Sequence, residues 1–463
     1  MPEIRYEGFK MTDLLKKYNT PVPRYTSYPP ANYFSEFFTA KDYESALDAS
    51  NASEPQHLSF YFHIPFCRRL CYYCGCNSFA MEKQGKIDRY VSALHREMDR
   101  VLPHIDKKRK IAQIHYGGGT PTVLPATVLK ELNDRLLSTF HSIENPEIAI
   151  ECHPGYLDED YWQSLTDAGF NRFSIGIQDF EEKVLKASNR KASLLPLETI
   201  FQILRQKNAG INLDFLYGLP LQTIDSFAQS ISKAIELQPD RLVTFSYAHV
   251  PWVNKRQLLL ERTGLPAQEE KSRMYEQARK ILSHAGYQPV GLDHFVQPSD
   301  ELYTALQNKQ LHRNFQGYCT RRTTGQVYAF GVTAISQLSS AYAQNSKDID
   351  DYIGRIDQGL ATVKGYSLNE EEQITREVIE TLMCNYSLDW QDLSERLALP
   401  IEKIKRATAY NLPRFQEFAD DGIISFDENR IEIKPEGQLF VRNIAAALDT
   451  LMLHTDKVFS KPV

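Results

Sequence analysis

HIPFCRRLCYYCGCN (63–77) is the stretch of sequence that decides the fold of this chain. Its thiols at Cys67, Cys71 and Cys74 have the spacing CxxxCxxC, which can hold three corners of a cubic iron–sulfur cluster. A complete cage normally uses four thiolates. The pattern therefore implies either a distant fourth protein ligand or a bound cofactor on the remaining iron.

A zinc site is the alternative, formed by the same three thiols with either Cys76 or His63 as the fourth ligand. Structural zinc sites usually pair two short knuckles that a longer stretch separates. Here the thiols crowd a single loop that directly follows an apolar segment, HLSFYFHI (57–64). The spacing thus favours a cluster over zinc, and disulfides are disfavoured because nothing marks the chain as secreted.

The composition is that of an ordinary globular protein, with 463 residues, 42% hydrophobic and 24% charged. No apolar run reaches the ~18 residues that span a bilayer, and the first residues lack the apolar centre of a signal peptide. We therefore expect a cytoplasmic protein without membrane insertion. The formal charge of −6 argues against nucleic acid as a partner.

Short apolar segments alternate with helical patterns between residues 57 and 250. The predicted strands are HLSFYFHI (57–64), IAQIHY (111–116), EIAIEC (147–152), FSIGIQ (173–178), INLDFLYG (211–218) and RLVTFSYAHV (241–250). This alternation is typical of a parallel sheet covered by helices, with the active site at the carboxyl ends of the strands. Since six units are too few for an eight-fold barrel, we predict an α/β fold built on a partial (β/α)6 barrel with an open side.

Three regions are expected along the chain. Residues 1–50, rich in proline, form an N-terminal arm that covers the active site. Residues 51–367 form the barrel with its extension, and residues 368–463 form a small, mainly helical C-terminal domain with a hairpin at IISF and IEI. Such a winged shape would suggest DNA binding, but the acidic residues near the hairpin argue against it.

The sequence resembles the radical S-adenosylmethionine (SAM) enzymes and, within them, the oxygen-independent coproporphyrinogen III oxidases. The motifs that carry the resemblance are PRYTSYPP (23–30), YFHIPFCRRLCYYCGCN (61–77), HYGGGTPT (115–122), GFNRFSIGIQDF (169–180), DFLYGLP (214–220), LHRNFQGY (311–318) and GVTAIS (331–336). CxxxCxxC alone indicates only a radical SAM enzyme. The CGCN extension, RYTSYP and HRNFQGY are far more specific.

The resemblance implies that SAM chelates the iron left open by the [4Fe–4S] ligands Cys67, Cys71 and Cys74. A 5′-deoxyadenosyl radical would then remove hydrogen from two propionates of coproporphyrinogen III, and each would lose carbon dioxide to leave a vinyl group of protoporphyrinogen IX. The alternatives are a related tetrapyrrole enzyme, such as one that breaks haem anaerobically, and a haem-binding chaperone. A reductant such as flavodoxin or ferredoxin and a monomeric state are further expectations.

The resemblance also assigns site residues. Contacts to two SAM molecules are expected, collectively, from Tyr61, Tyr73, Gly118, Gly119, Thr120, Glu151, Gln178, Arg190, Asp214, Ala248 and Ile335. Cys76 matches a position that matters for activity without binding the cluster. The sequence departs from well-known bacterial members at His153-Pro154-Gly155, where they read acid, proline, arginine.

The substrate carries propionates on a large apolar macrocycle, so its pocket needs aromatic rings and a few cations. Guanidinium groups bind carboxylates bidentately. The candidates for these contacts are Arg24, Arg313, Arg321 and Arg322.

Overall fold

The computed structural model describes residues 11–320 and 325–460. Its strands are β1 (Leu58–Ile64), β2 (Phe66–Cys67), β3 (Phe79–Ala80), β4 (Ile111–Gly118), β5 (Ser142–Cys152), β6 (Arg172–Gln178), β7 (Gly210–Tyr217), β8 (Arg241–Ser246), β9 (Gln288–Val290), β10 (His294–Val296), β11 (Leu311–Asn314), β12 (Gly317–Thr320), β13 (Val327–Phe330), β14 (Ile335–Gln337), β15 (Ala341–Asn345), β16 (Thr362–Ser367), β17 (Ser387–Asp389), β18 (Ile424–Phe426) and β19 (Arg430–Ile433).

The α-helices of the described residues alternate with these strands. They are α1 (Met11–Tyr18), α2 (Ala40–Ser50), α3 (Gln84–Val101), α4 (Ala126–Thr139), α5 (Glu159–Asp167), α6 (Glu182–Ala187), α7 (Leu197–Arg205), α8 (Ile224–Glu236), α9 (Leu258–Glu261), α10 (Gln268–His284), α11 (Glu301–Gln307), α12 (Ile349–Gln358), α13 (Glu370–Asn385), α14 (Trp390–Leu397), α15 (Ile401–Ala407), α16 (Leu412–Asp420) and α17 (Val441–Ala446). None of these helices is both long and apolar enough to cross a membrane.

The predicted parallel sheet is confirmed. The six strands read from the sequence lie side by side in the order β1-β4-β5-β6-β7-β8, and each neighbouring pair is parallel. Their carboxyl ends therefore meet at one edge, where the sequence placed the active site.

The sheet extends beyond these strands on both sides, which the sequence did not predict. On one side β13 pairs in parallel with β1, followed by the antiparallel strands β14, β15 and β16. On the other side β10 and β9 continue antiparallel from β8. These strands span only three to six residues each, and so short a pattern does not identify its pairing partner.

Alternation along each strand separates an apolar layer from a polar mouth. In β1 the side chains of Phe60, Phe62 and Ile64 are fully buried in the main core, under the helices. Tyr61 and His63 point to the opposite face, where the Tyr61 ring stacks on that of His115 in β4 at 5.8 Å. The inner face of the partial barrel is thus lined by polar and aromatic groups.

The N-terminal arm packs on the C-terminal region. Tyr18, Tyr25 and Tyr28 belong to the same apolar cluster as the buried residues of α13 and α17, and the Tyr25 hydroxyl donates a hydrogen bond to Asp449 at 2.8 Å. The arm also contains α2, which the sequence reading missed and which begins with a capping box between Thr39 and Asp42. The domain boundaries remain a prediction.

The hairpin predicted near the C-terminus is present, since β18 and β19 pair antiparallel with Phe426 opposite Ile431. β17 adds a third strand to this small sheet and was not predicted. The predicted strand boundaries in the barrel differ from the structure most at two places. β5 begins at Ser142 instead of residue 147, and β8 ends at Ser246 instead of residue 250, where its pairing with β7 stops at Tyr217.

Candidate active site

The cysteine loop leaves the carboxyl end of β1 and is held against the glycine turn that follows β4. The Gly119 amide donates to the Ile64 carbonyl at 2.8 Å, and the Thr120 amide donates to the Phe66 carbonyl at 2.9 Å. The Thr120 hydroxyl then lies 3.4 Å from the Cys67 thiol sulfur. The first cysteine is therefore positioned by the backbone of a neighbouring strand end.

Side chains from the segments that follow α6 and β8 hold the rest of the loop. Arg190 Nη1 lies 3.6 Å from the Cys71 sulfur and donates to the Tyr73 hydroxyl at 3.0 Å. On the far side, Asn254 Nδ2 donates to the Cys74 carbonyl at 2.6 Å. Hydrogen bonds around the sulfurs of a cluster tune its reduction potential.

The thiols differ in their readiness to ionise. Burial raises the pKa of the Cys67 thiol to about 11. A hydrogen bond from the Cys76 thiol, opposed by burial, lowers the pKa of Cys74 to about 6. Cys76 itself is exposed, and it lies directly beside the third predicted ligand.

The donor set fits a [4Fe–4S] cluster better than zinc. Cys67 interacts electrostatically with both Cys71 and Cys74, so the three thiols lie in one region. Both ring nitrogens of His63, the alternative zinc ligand, are engaged by the Tyr61 hydroxyl at 3.1 Å and the Asn77 carbonyl at 3.0 Å.

The glycine turn after β4 is required by close packing. A methyl group on Gly117 would lie 2.5 Å from Glu151 Oε1. Gly118 has φ +110°, and a methyl group there would meet the His63 ring at 2.6 Å. These glycines thus let the cysteine loop and β5 approach β4, in addition to any contact they make with a cofactor.

Two carboxylates face each other across the mouth. Glu151, near the end of β5, accepts a hydrogen bond from the Gly118 amide at 3.3 Å and lies 3.3 Å from His115 Nε2. Asp214 in β7 accepts from the Ser174 hydroxyl at 2.6 Å. Burial raises the pKa of Asp214 to about 6, and repulsion from Glu151 adds to this shift. Both groups can bind an ammonium group or hydroxyls.

Gln178 and Arg190 meet above Gly176 at the end of β6. Gln178 has φ +71°, an uncommon backbone for a residue with a side chain. A methyl group on Gly176 would lie 2.8 Å from Gln178 Nε2 and 2.9 Å from Arg190 Nη2. The structure therefore brings an amide and a guanidinium together beside the cysteine loop.

The other two predicted contacts lie further out. The Ala248 carbonyl accepts a hydrogen bond from Gln257 at 3.2 Å, and Gln257 also donates to the Tyr73 carbonyl at 3.2 Å. Ile335, at the start of β14, packs in a separate apolar cluster with Phe34 and Phe315. Only Ala248 is thus linked to the cysteine loop by hydrogen bonds.

The departure at 153–155 has a structural reason. The Gly155 amide donates to His153 Nδ1 at 3.1 Å, and a methyl group on Gly155 would meet the Ala192 carbonyl at 2.7 Å. No longer side chain fits there in this backbone. Burial, followed by repulsion from Arg190, lowers the pKa of His153 to about 2, so its imidazole is neutral.

A cluster of cations forms where the arm, the barrel and the C-terminal region meet. Burial lowers the pKa of Arg442 to about 10, and repulsion from Arg24 and Arg313 adds to this shift. Asp293 is also within electrostatic range of Arg24 and Arg313. The fold therefore joins two of the predicted substrate contacts, which are far apart in the sequence, while Arg321 and Arg322 lie outside the described residues.

Arg313 has the geometry of a carboxylate-binding group. Its guanidinium lies over the Tyr318 ring at 4.9 Å from the centroid. Nε and Nη1 are buried and have no hydrogen-bond partner among the described residues. A buried cation with unused donors is costly to leave unpaired, and a carboxylate would satisfy it.

Sequence reasoning missed several residues that hold this site. Asn254 and Gln257 fix the cysteine loop, and His63, predicted only as an alternative zinc ligand, joins Tyr61 to the Asn77 carbonyl. Arg442 donates to the Pro23 carbonyl at 3.0 Å, just before Arg24. No local pattern marks such residues, because each acts on a segment distant in sequence.

Comparisons with known proteins agree with this geometry. Residues 61–234 match the Radical SAM superfamily and residues 368–440 match the HemN C-terminal domain. The chain is 37% identical to the oxygen-independent coproporphyrinogen III oxidase of Synechocystis sp. over 97% of each chain, and 38% identical to that of Escherichia coli over 95% of each. It superposes on the solved structure of coproporphyrinogen III oxidase (HemN) from Escherichia coli with a TM-score of 0.86 and 35% identity, covering 97% of this chain and 100% of that one.

Proposed function

The chain belongs to the oxygen-independent coproporphyrinogen III oxidases of the radical SAM superfamily, and we propose that its own residues hold coproporphyrinogen III so that two propionates become vinyl groups. It is an oxidoreductase of haem biosynthesis, and its cofactors are a [4Fe–4S] cluster and SAM. The product would be protoporphyrinogen IX.

The cluster would be held by Cys67, Cys71 and Cys74, with SAM on the open iron. When bound, these groups supply one-electron chemistry that removes a hydrogen atom from an unactivated carbon. The protein's part is to bind, orient and exclude water. Arg190 and Thr120, which contact two of the thiols, would keep the loop in one arrangement.

SAM contacts are proposed for the polar groups at the strand ends. Glu151 and Asp214 would bind an ammonium group or ribose hydroxyls, and Arg190 with Gln178 would bind a carboxylate. The glycine turn at Gly118–Thr120 and the aromatic side chains of Tyr61 and Tyr73 complete this set. Ala248 and Ile335, which lie further out, are proposed with the others as contacts of two SAM molecules collectively.

The observation that supports the substrate proposal is the guanidinium of Arg313 on the Tyr318 ring, because its buried Nε and Nη1 have no hydrogen-bond partner among the described residues. An apolar macrocycle with propionates needs an aromatic surface beside a cation that can pair bidentately. Arg24 and Arg442 add positive charge at the same place. We propose that this cluster anchors propionates that do not react, while Cys76, exposed beside Cys74, faces the reacting one.

Anaerobic turnover tests the proposal. The reconstituted protein is incubated with coproporphyrinogen III, SAM, dithionite and an electron acceptor. We expect protoporphyrinogen IX, with two molecules each of carbon dioxide, 5′-deoxyadenosine and methionine formed for each molecule of product. The matched control is Cys67→Ser, which removes one ligand and should abolish both cofactor cleavage and the vinyl product.

Other outcomes would assign a different role. Cleavage of SAM without a vinyl product would contradict the oxidase and favour another tetrapyrrole reaction. Tight haem binding and transfer without turnover would favour a haem carrier. A low-potential donor protein such as flavodoxin or ferredoxin, a monomeric state and a reducing cytoplasm complete the proposal, because thiol ligands and a reduced cluster must be protected from oxygen.

A further inference from the structure

The outer surface of the cysteine loop carries positive charge that the site described above does not use. Arg68 and Arg69 directly follow the first predicted ligand, and both are exposed. Lys191 is also exposed, and it follows Arg190, whose guanidinium reaches the Cys71 sulfur. The three cations Arg68, Arg69 and Lys191 are called the basic rim below.

The cations of the basic rim have no ion-pair partner among the described residues, although exposed lysines nearby do. Lys183 and Lys186 pair with acidic residues of their own helix region at 3.6 and 2.8 Å. Arg68 and Lys191 instead lie against the ring of Tyr156, at 5.7 and 4.8 Å from its centroid. Their positive charge is thus directed to solvent and held in place by one aromatic side chain.

The basic rim is a local excess of positive charge on a chain whose formal charge is −6. It also lies very close to the cluster ligands. Arg68 and Arg69 are one and two residues from Cys67, a span of at most about 7 Å of extended chain. Hydrogen bonds tie the two segments together, since the Tyr72 amide donates to the Ser188 carbonyl at 3.1 Å and Asn189 Nδ2 to the Leu70 carbonyl at 2.8 Å.

We propose that the basic rim docks a small acidic electron-transfer protein of the flavodoxin class, which rests on the proposed function because only a reducible cluster needs such a partner. The partner gives up one electron from its reduced flavin, and the cluster held by the loop accepts it. No atom is transferred. Opposite charges on the two surfaces steer such weak, transient redox encounters.

The alternative occupant is the substrate, whose propionates are also negative. Exposure favours the protein. All three cations of the basic rim are exposed, so a second protein can reach them. Arg313, by contrast, has buried donors without a hydrogen-bond partner among the described residues, so it is better suited to a propionate.

Reduction of the cluster by the partner is the test, without substrate. Reduced flavodoxin is mixed anaerobically with the reconstituted holoenzyme, and cluster reduction is followed by stopped flow and electron paramagnetic resonance. The double variant Arg68→Glu/Arg69→Glu should lower the second-order rate at least about tenfold at low ionic strength. The difference should shrink at roughly 0.5 M salt, where screening acts over a few ångströms.

The matched control is Lys107→Glu/Lys108→Glu, which makes the same change of charge on exposed residues just before β4, at the opposite end of the barrel. It should leave the rate with flavodoxin within about twofold. Lys191→Glu, outside the cysteine loop, should lower the rate as well and guards against damage to the cluster. All variants should keep their iron content and be reduced by dithionite at the wild-type rate.

Equal effects of the two double variants, or no effect of either, would overturn the proposal. A higher KM for coproporphyrinogen III in dithionite-driven turnover, with unchanged reduction by flavodoxin, would assign the basic rim to the substrate instead. Failure of the proposed function is recognised separately, because a wild-type enzyme that forms no vinyl product with dithionite can still be reduced by flavodoxin.

Discussion

Gly119→Ala tests directly how the fold holds the cysteine loop. The added methyl group would lie 2.6 Å from both the carbonyl carbon and the oxygen of Pro65, and 2.9 Å from the Phe66 carbonyl oxygen. These are backbone atoms, so no rotamer change can relieve the contact. Either β4 or the segment leading to Cys67 must move.

The expected cost follows from two contributions. Forcing a methyl group into a packed site costs about 1–3 kcal/mol. A shift also weakens the hydrogen bond from the Gly119 amide to the Ile64 carbonyl, at 2.8 Å, which contributes about 1 kcal/mol. We therefore expect a loss of about 2–4 kcal/mol in unfolding free energy and a marked loss of bound iron after reconstitution.

Urea unfolding of the cofactor-free protein, followed by circular dichroism, measures the first effect, and iron and sulfide analysis measures the second. Gly354→Ala is the matched control. This glycine lies inside α12 with nothing within 4 Å of an added methyl group, so the change should stabilise the protein by up to about 1 kcal/mol. A Gly119→Ala protein with wild-type stability and iron content would refute the reasoning.

Further predictions concern Asp214, Arg313 and Asn254. Burial raises the pKa of Asp214 from 3.8 to about 6. The stability that the protonated carboxyl contributes is therefore fully present below about pH 4 and falls by at most about 3 kcal/mol as the pH rises to about 6. Asp214→Asn should remove this part of the pH dependence, measured by urea unfolding at pH 4.5 and 7.5, and should weaken SAM binding. Arg313→Lys keeps the charge but loses the bidentate geometry, so KM for coproporphyrinogen III should rise about tenfold with unchanged iron content; an unchanged KM would exclude this contact. Asn254→Ala removes the donor to the Cys74 carbonyl, and iron should be lost to a chelator several-fold faster than from the wild type.

The barrel could be read from the sequence because each of its units is local. The segments around Phe62 and Leu213 are apolar over one strand length, and helical patterns separate them. The order of parallel neighbours then follows from short connections. The strands of the extension could not be read, since a segment such as Ile335–Gln337 carries too few residues to specify a partner.

The candidate site divides in the same way. The three thiols of the cysteine loop lie within eight residues, so their spacing alone favoured a cluster over zinc. The resemblance supplied the SAM contacts, which stay a prediction. The contact of the Cys76 thiol with Cys74, by contrast, depends on how the loop closes.

The sequence by itself determined a chain of βα units with a CxxxCxxC loop after the first strand. Only the tertiary structure placed Arg24 within electrostatic range of Asp293 and gathered Arg313 and Arg442 around them. These residues come from the arm, the extension and the C-terminal region. These residues come together only because segments hundreds of residues apart pack against each other. The spacing of residues along the sequence does not specify such packing.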